Sequence, residues 1–266
     1  MMTVSEQPAA SPKLNSALFI LLICAAIAAC EWIFAYLDVT YGIIMALFLA
    51  LGVYLALPFI KLGQLFTDSA ESLVLIPLYI LFTSSLPWFF LSQELVLPSV
   101  YAAVLALCAW HIYHKNISLR GIGFRNENIF RNMMIGFLVG VPMGIAEYFI
   151  ITPVATYPAF EIKYLIRDVF YMIFFVGLGE ELLFRGLIQR DLENLLGWKW
   201  GLLFASVMFG VMHLTWRSVP ELGFTTAAGL IFGYLYHKTD NLAAPIIAHG
   251  VGNAILVAVM PYIFLK

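Results

Sequence analysis

Charge is what this chain has least of. Only 11% of its 266 residues are Asp, Glu, Lys or Arg, against roughly a quarter in soluble domains, and 62% are hydrophobic. Such a composition cannot clothe a water-facing globule, so a polytopic membrane protein is expected. A basic excess is missing too. The net charge of -2 and a pI near 6.2 leave no cationic face for phosphates, which excludes nucleic acid as a partner. Paired cysteines are absent: Cys24, Cys30 and Cys108 each sit alone in an apolar run and read as small buried hydrophobes, neither a disulfide framework nor a Cys-rich metal centre. There is no Gly/Ser-rich linker, low-complexity tract, soluble insert or internal repeat, and no cleavable signal is apparent. These absences predict a polar, disordered tail over residues 1–16 and one all-α transmembrane domain over 17–266.

What is abundant is apolar sequence in lengths near the roughly 20 residues that cross a bilayer as a helix. Nine stretches qualify: Ala17 to Leu37, Tyr41 to Ile60, Leu73 to Leu91, Leu95 to Tyr113, Met133 to Ile151, Tyr164 to Leu187, Trp200 to Trp216, Glu221 to His237 and Leu242 to Leu265. The eighth is the weakest because Gly223, Gly229 and Gly233 lower its helix propensity, so a bundle of eight or nine spans is expected. Lys115, Arg120, Arg125 and Arg131 cluster in one connector, and cytoplasmic loops collect such residues. Counting spans outward from it puts Lys13, Lys61, Arg190, Lys199 and Lys238 on the same side, against Lys163, Arg167, Arg217 and Lys266 on the other. The N-terminus is therefore expected in the cytoplasm. The connector Ile117 to Asn132 reads either as an interfacial amphipathic element or as an ordinary basic loop.

Against this background three polar blocks stand out. Ionisable groups inside apolar helices are costly and mark functional interiors by default. In the first block Glu181 and Arg185 are four apart, neighbours on one helical face with the acid N-terminal to the base, and can neutralise each other. Glu180 is turned by about 100° from Glu181 and so points elsewhere. One carboxylate is then structural and the other is left poised for proton transfer. The second block is Phe209 to His213, and the third pairs His249 with Asn253 on one face. Each alone reads equally as polar side chains bonded across packed helices. Their crowding into the last third of the chain argues for a shared site among the C-terminal helices.

Three chemistries fit. Glu180 could deprotonate a water while the imidazoles or Asn253 stabilise an oxyanion. Glu180, His213 and His249 could hold a zinc ion, although the helical signature of two His four apart flanking a Glu is absent. The set could also form a proton relay in a transporter, for which Glu31 and Glu147 are the only further acids within spans. A Ser or Cys nucleophile is disfavoured, because no Gly-x-Ser-x-Gly turn occurs and no Cys lies near these blocks.

Taken in order, Glu180-Glu181-x-x-x-Arg185, Phe209-x-x-x-His213 and His249-x-x-x-Asn253 resemble the signature of the CAAX protease and bacteriocin-processing family, which includes the type II CAAX prenyl endopeptidases. The likeness covers residues 168–258. It implies an intramembrane glutamate-type endopeptidase acting on a peptide or protein substrate, with prenylation of that substrate left open, membrane lipid as a neighbour and a site opening toward the cytoplasm. In that scheme Glu180 is the general base and His213 orients the water. His249 and Asn253 form the oxyanion hole, Arg185 pairs with Glu181, and Phe209 packs beside the site. The implied mechanism requires no cofactor, with zinc as the alternative. A non-catalytic scaffold or bacteriocin self-immunity protein that keeps the motif for packing is the rival from another class. Oligomeric state is not encoded in any of these features.

Overall fold

A computed structural model describes residues 14–86 and 91–264. Every regular element in it is helical, and no strand occurs among the described residues. Helix α1 (Leu14–Trp32) continues through a π-helical segment, Ile33–Leu37, to Asp38. The side chain of Asp38 accepts from the Tyr41 amide at 3.0 Å and so caps α2 (Val39–Ala56). Helices α3 (Gln64–Ser84), α4 (Gln93–His114) and α5 (Ile129–Ile151) follow. Next comes a rod running without interruption from Ile162 to Leu196, made of α6 (Ile162–Tyr171), α7 (Leu178–Glu181) and α8 (Arg190–Leu196) joined by π-helical segments Met172–Gly177 and Leu182–Gln189. Helix α9 (Trp198–Val211) leads to α10 (Val219–Thr239), capped by Ser218, and then to α11 (Ala243–Ala254), which extends through Ile255–Val259 into α12 (Met260–Ile263).

The expected all-α membrane architecture is present; the expected count of eight or nine spans is not confirmed. Among the described residues six helices are long and apolar enough to cross a bilayer: Asn15–Leu37, Val39–Phe59, Gln64–Ser84, Glu94–His114, Ile129–Ile151 and Ala243–Ile263. The other three expected spans fall short of that length and composition for physical reasons. The rod carries Glu180, Glu181, Arg185 and further charges. Helix α9 has 14 residues, about 21 Å of rise against a hydrocarbon core of about 30 Å. Helix α10 is diluted by Glu221, Thr225, Thr226, His237 and Lys238. These three elements are the ones that bring polar groups inward.

The expected tail of residues 1–16 lies outside the described residues up to residue 13, while Leu14, Asn15 and Ser16 belong to the first turn of α1, with Ser16 buried. The connector around Arg120 is neither a free loop nor an amphipathic helix. It folds into a short 3-10 turn, Leu119–Ile122, with Ile122 fully buried, and the Gly123 carbonyl accepts from the Leu242 amide at 2.9 Å. Polar contacts tie the helix ends into two groups. At one end Lys115 pairs with Asp68 at 2.7 Å, Ser69 bonds to the Asp191 carbonyl at 3.0 Å, and Arg125 pairs with Asp240 at 2.6 Å. At the other, Arg217 bonds to the Ala35 carbonyl at 2.8 Å, Arg167 pairs with Glu94 at 3.2 Å, and the Tyr157 amide bonds to the Tyr262 hydroxyl at 3.2 Å.

The tightest helix contact is the one that places the third motif. Gly136, Gly140 and Gly144 of α5 run along Ala244, Ala248 and Gly252 of α11, a seam of small residues at four-residue spacing. A Cβ on Gly140 would lie 2.4 Å from the Ala248 carbonyl oxygen, and one on Gly144 2.2 Å from that of Gly252. On its opposite face α11 presses Gly250 against the rod, where a Cβ would meet the Ile173 backbone at 2.6 Å. So α11 is clamped between α5 and the rod, and His249 is carried to Glu181. Widening the seam should therefore damage both stability and the site. Gly140→Leu is expected to destabilise the protein by about 1–3 kcal/mol through overpacking, read as a fall in thermal midpoint in detergent, whereas a substitution at Gly52, around whose Cβ position nothing lies within 4 Å, should leave it unchanged.

Candidate functional site

The centre of the site is the carboxylate of Glu181. Neither it nor Arg185 has any exposed surface, and Arg185 Nε lies 3.0 Å from Glu181 Oε2, the i,i+4 pairing expected from the sequence. The contact is an ion pair rather than an aligned hydrogen bond, and none of the guanidinium nitrogens has a hydrogen-bond partner. Aromatic faces enclose the cation instead: its carbon lies 4.6 Å from the Phe209 ring centre and 5.9 Å from those of Phe184 and Phe232. The other oxygen, Glu181 Oε1, is 2.8 Å from His249 Nδ1. Because a carboxylate only accepts, Nδ1 carries the proton in this bond, and Nε2 is turned away toward Glu180. The His249 ring is fixed further by stacking on Phe232 at 5.3 Å and meeting the edge of Phe209 at 5.7 Å.

Glu180, one residue earlier, leaves the rod in a different direction, as the helical period requires. Its Oε1 accepts a hydrogen bond from the Tyr101 hydroxyl of α4. Its Oε2 has no hydrogen-bond partner and stands 4.0 Å from His249 Nε2, too far for a direct bond but within the reach of one bridging water. The π-helical segments on either side of α7 set these exits, widening the rod where the two acids leave it.

His213 follows the last turn of α9. Its Nδ1 lies 2.8 Å from the Phe209 carbonyl oxygen, which accepts, so Nε2 is left with its lone pair toward the interior. Phe209 thus does three things: it covers Arg185, packs on His213 at 5.0 Å and braces His249. A cavity of about 290 Å³ is lined by Glu180, His213, His249 and Asn253 together, with apolar walls that include Met143, Phe224 and Leu256. A second cavity of about 150 Å³ lies behind, sharing Glu180, His213, Tyr101 and Trp216. The four residues expected to act thus share one cavity wall, and Glu181, Arg185 and Phe209 form its buried support.

Three polar neighbours were not found by motif. Tyr101 bonds to Glu180 across 79 positions of sequence. Its ring rests on the backbone of Gly179, where an added Cβ would be 3.1 Å away. No local pattern could announce that partner. Glu147 of α5, a scattered acid in the sequence, lines the larger cavity, with the buried Glu221 at the start of α10 nearby. Glu31, the other scattered acid, is buried among α1 neighbours and is not part of either cavity wall. No group of three or more His, Cys, Asp or Glu side chains among the described residues is gathered closely enough to hold a metal ion.

Removing one member of the buried ion pair leaves the other charge unpaired. Arg185→Met should therefore cost about 3–5 kcal/mol and free His249, seen as a lowered thermal midpoint; an unchanged midpoint would show that the aromatic enclosure, not the cation, supports Glu181.

Comparison with known proteins falls on this same stretch. Residues 163–255 match the model of a family described as type II CAAX prenyl endopeptidase Rce1-like. The uncharacterized protein YpbD of Bacillus subtilis (strain 168) is 30% identical over 91 residues, which is 34% of this chain and 44% of that protein. The chain therefore spans less than half the length of the curated relative it matches. No solved structure matches. Tyr101 and Glu147 lie upstream of the matched residues, while all seven motif residues lie within them. The likeness carried by the three motifs is thus upheld: from residue 163 to 255 this chain is similar to the Rce1-like type II CAAX prenyl endopeptidases.

Proposed function

We propose that this integral membrane protein is an intramembrane endopeptidase that hydrolyses peptide bonds with a water activated by Glu180. The observation that carries this reading is the gap of 4.0 Å between the unpartnered Glu180 Oε2 and His249 Nε2, with His249 held from behind by Glu181. A water in that gap gives its proton to Glu180 while its oxygen attacks the carbonyl carbon of the substrate. The lone pair on His213 Nε2 orients the same water. Charge balance makes His249 an imidazolium: Arg185 and His249 then offset Glu181 and Glu180, and a buried net charge is avoided. Its Nε2–H and the Asn253 amide stabilise the oxyanion that develops in the tetrahedral intermediate. Glu180 passes its proton to the departing amine as the C–N bond breaks, which leaves a new carboxyl terminus and a free amine.

No step of this scheme needs a metal; zinc on Glu180, His213 and His249 is the competing arrangement. The substrate class follows from the medium. Helical peptides hide their carbonyls in internal bonds, so an extended segment is required, and lipid attached to it can lie in the apolar wall of the cavity. The distribution of Lys and Arg supports an N-terminus in the cytoplasm.

Two variants test the scheme. Glu180→Ala should reduce cleavage of a fluorogenic farnesylated CAAX peptide by roughly 10²–10⁴-fold at an unchanged thermal midpoint, with the parent protein insensitive to chelator. Chelator-sensitive cleavage would move the mechanism to zinc, and absence of cleavage of any peptide would favour the scaffold. Tyr101→Phe removes only the hydroxyl that fixes Glu180 Oε1. It should lower kcat by about 10- to 100-fold, the scale of a small misplacement of a reacting group, with KM little changed; a change confined to KM would assign Tyr101 to substrate binding instead.

A further inference from the structure

The cavity and the basic loops lie at opposite ends of the bundle. Apart from the buried Arg185, eleven Lys and Arg side chains fall within the described residues. Eight are at the end that holds the Lys115–Asp68 and Arg125–Asp240 pairs: Lys61, Lys115, Arg120, Arg125, Arg131, Arg190, Lys199 and Lys238. Three are at the other: Lys163, Arg167 and Arg217. All the connectors are short, the condition under which such a bias sets orientation.

The larger cavity extends toward the poorly charged end. From the Glu180 level it reaches Ile151 and Pro153 beyond α5, Trp216 after α9 and Leu97 in the second turn of α4. None of its lining residues belongs to the connectors of the basic end. The short α9 explains the shape: it starts at the basic end and stops at His213, so the chain from Met212 to Ser218 turns back at the rim of the cavity.

We infer that the site opens to the non-cytoplasmic side of the membrane and takes an extended peptide segment presented there, such as an exported peptide or the outer flank of a membrane protein. This replaces the cytoplasmic opening implied by the resemblance, because with the basic loops inside, the residues that line the cavity lead from Glu180 away from the cytoplasmic end. The substrate half of the inference rests on the peptidase reading; the orientation half does not.

The experiment separates the two. Val154, 88% exposed near the cavity mouth, and Asn126, exposed in the basic connector, are each replaced by Cys in the full chain. The parent, whose three cysteines are buried, serves as the blank. A membrane-impermeant maleimide applied to intact cells should label Val154→Cys, and should label Asn126→Cys only after permeabilisation; the reverse pattern overturns the inference. In the second arm an impermeant fluorogenic peptide is added to right-side-out and inside-out vesicles. Cleavage only in right-side-out vesicles, lost in Glu180→Gln, supports the substrate assignment. Cleavage only in inside-out vesicles overturns it and keeps the peptidase. The expected labelling with no cleavage from either side keeps the orientation and overturns the substrate assignment together with the peptidase.

Discussion

A carboxylate with no access to water holds the site together. Glu181 answers to two partners at once, Arg185 four residues on and His249 on α11, and each contact is needed because a lone charge there would cost several kcal/mol. Through this one group the rod, α9 and α11 become a single unit: Arg185 is covered by Phe209 from α9, and His249 is set at a fixed angle. The glycine seam between α5 and α11 serves the same end, because only a close approach of those backbones lets α11 reach the rod. What remains free is the reactive part, one oxygen of Glu180 and one nitrogen each of His213 and His249, facing a cavity.

Much of this was legible in the sequence. Acids, imidazoles and an amide inside apolar runs stand out against a chain so poor in charge, and the helical period alone predicts that Glu181 meets Arg185 while Glu180 faces elsewhere. The contacts that decide roles were not legible. His249 meets Glu181 across 68 positions and Tyr101 meets Glu180 across 79, and neither pair leaves a periodic trace. The eight or nine expected spans are not confirmed for a related reason: among the described residues six helices are long and apolar enough to cross, while the rod and α10 carry polar groups and α9 is short. His111 near the end of α4 is likewise buried, with its Nε2 unpartnered, and no sequence pattern announces this.

The distribution of polar groups along the bundle also gives the molecule a direction. Most of the basic connectors lie at one end, and the cavity extends toward the other, where α9 stops and α5 ends at Ile151. Under the proposed function the site needs water, and a cavity with apolar walls whose polar groups gather near one level would admit it from that end. The resemblance to type II CAAX prenyl endopeptidases covers the motif helices but not α1 to α5, so Tyr101 and Glu147 are where this chain supplies its own surroundings to a shared core.

The most direct test of the account is an experimental density map of the protein in a lipid disc, at a resolution that places ordered water. The account predicts one water about 2.8 Å from both Glu180 Oε2 and His249 Nε2, with His249 Nδ1 still bonded to Glu181. A map in which Glu180 faces acyl chains, or in which His249 has left Glu181 and the gap is closed by side chains, would contradict it.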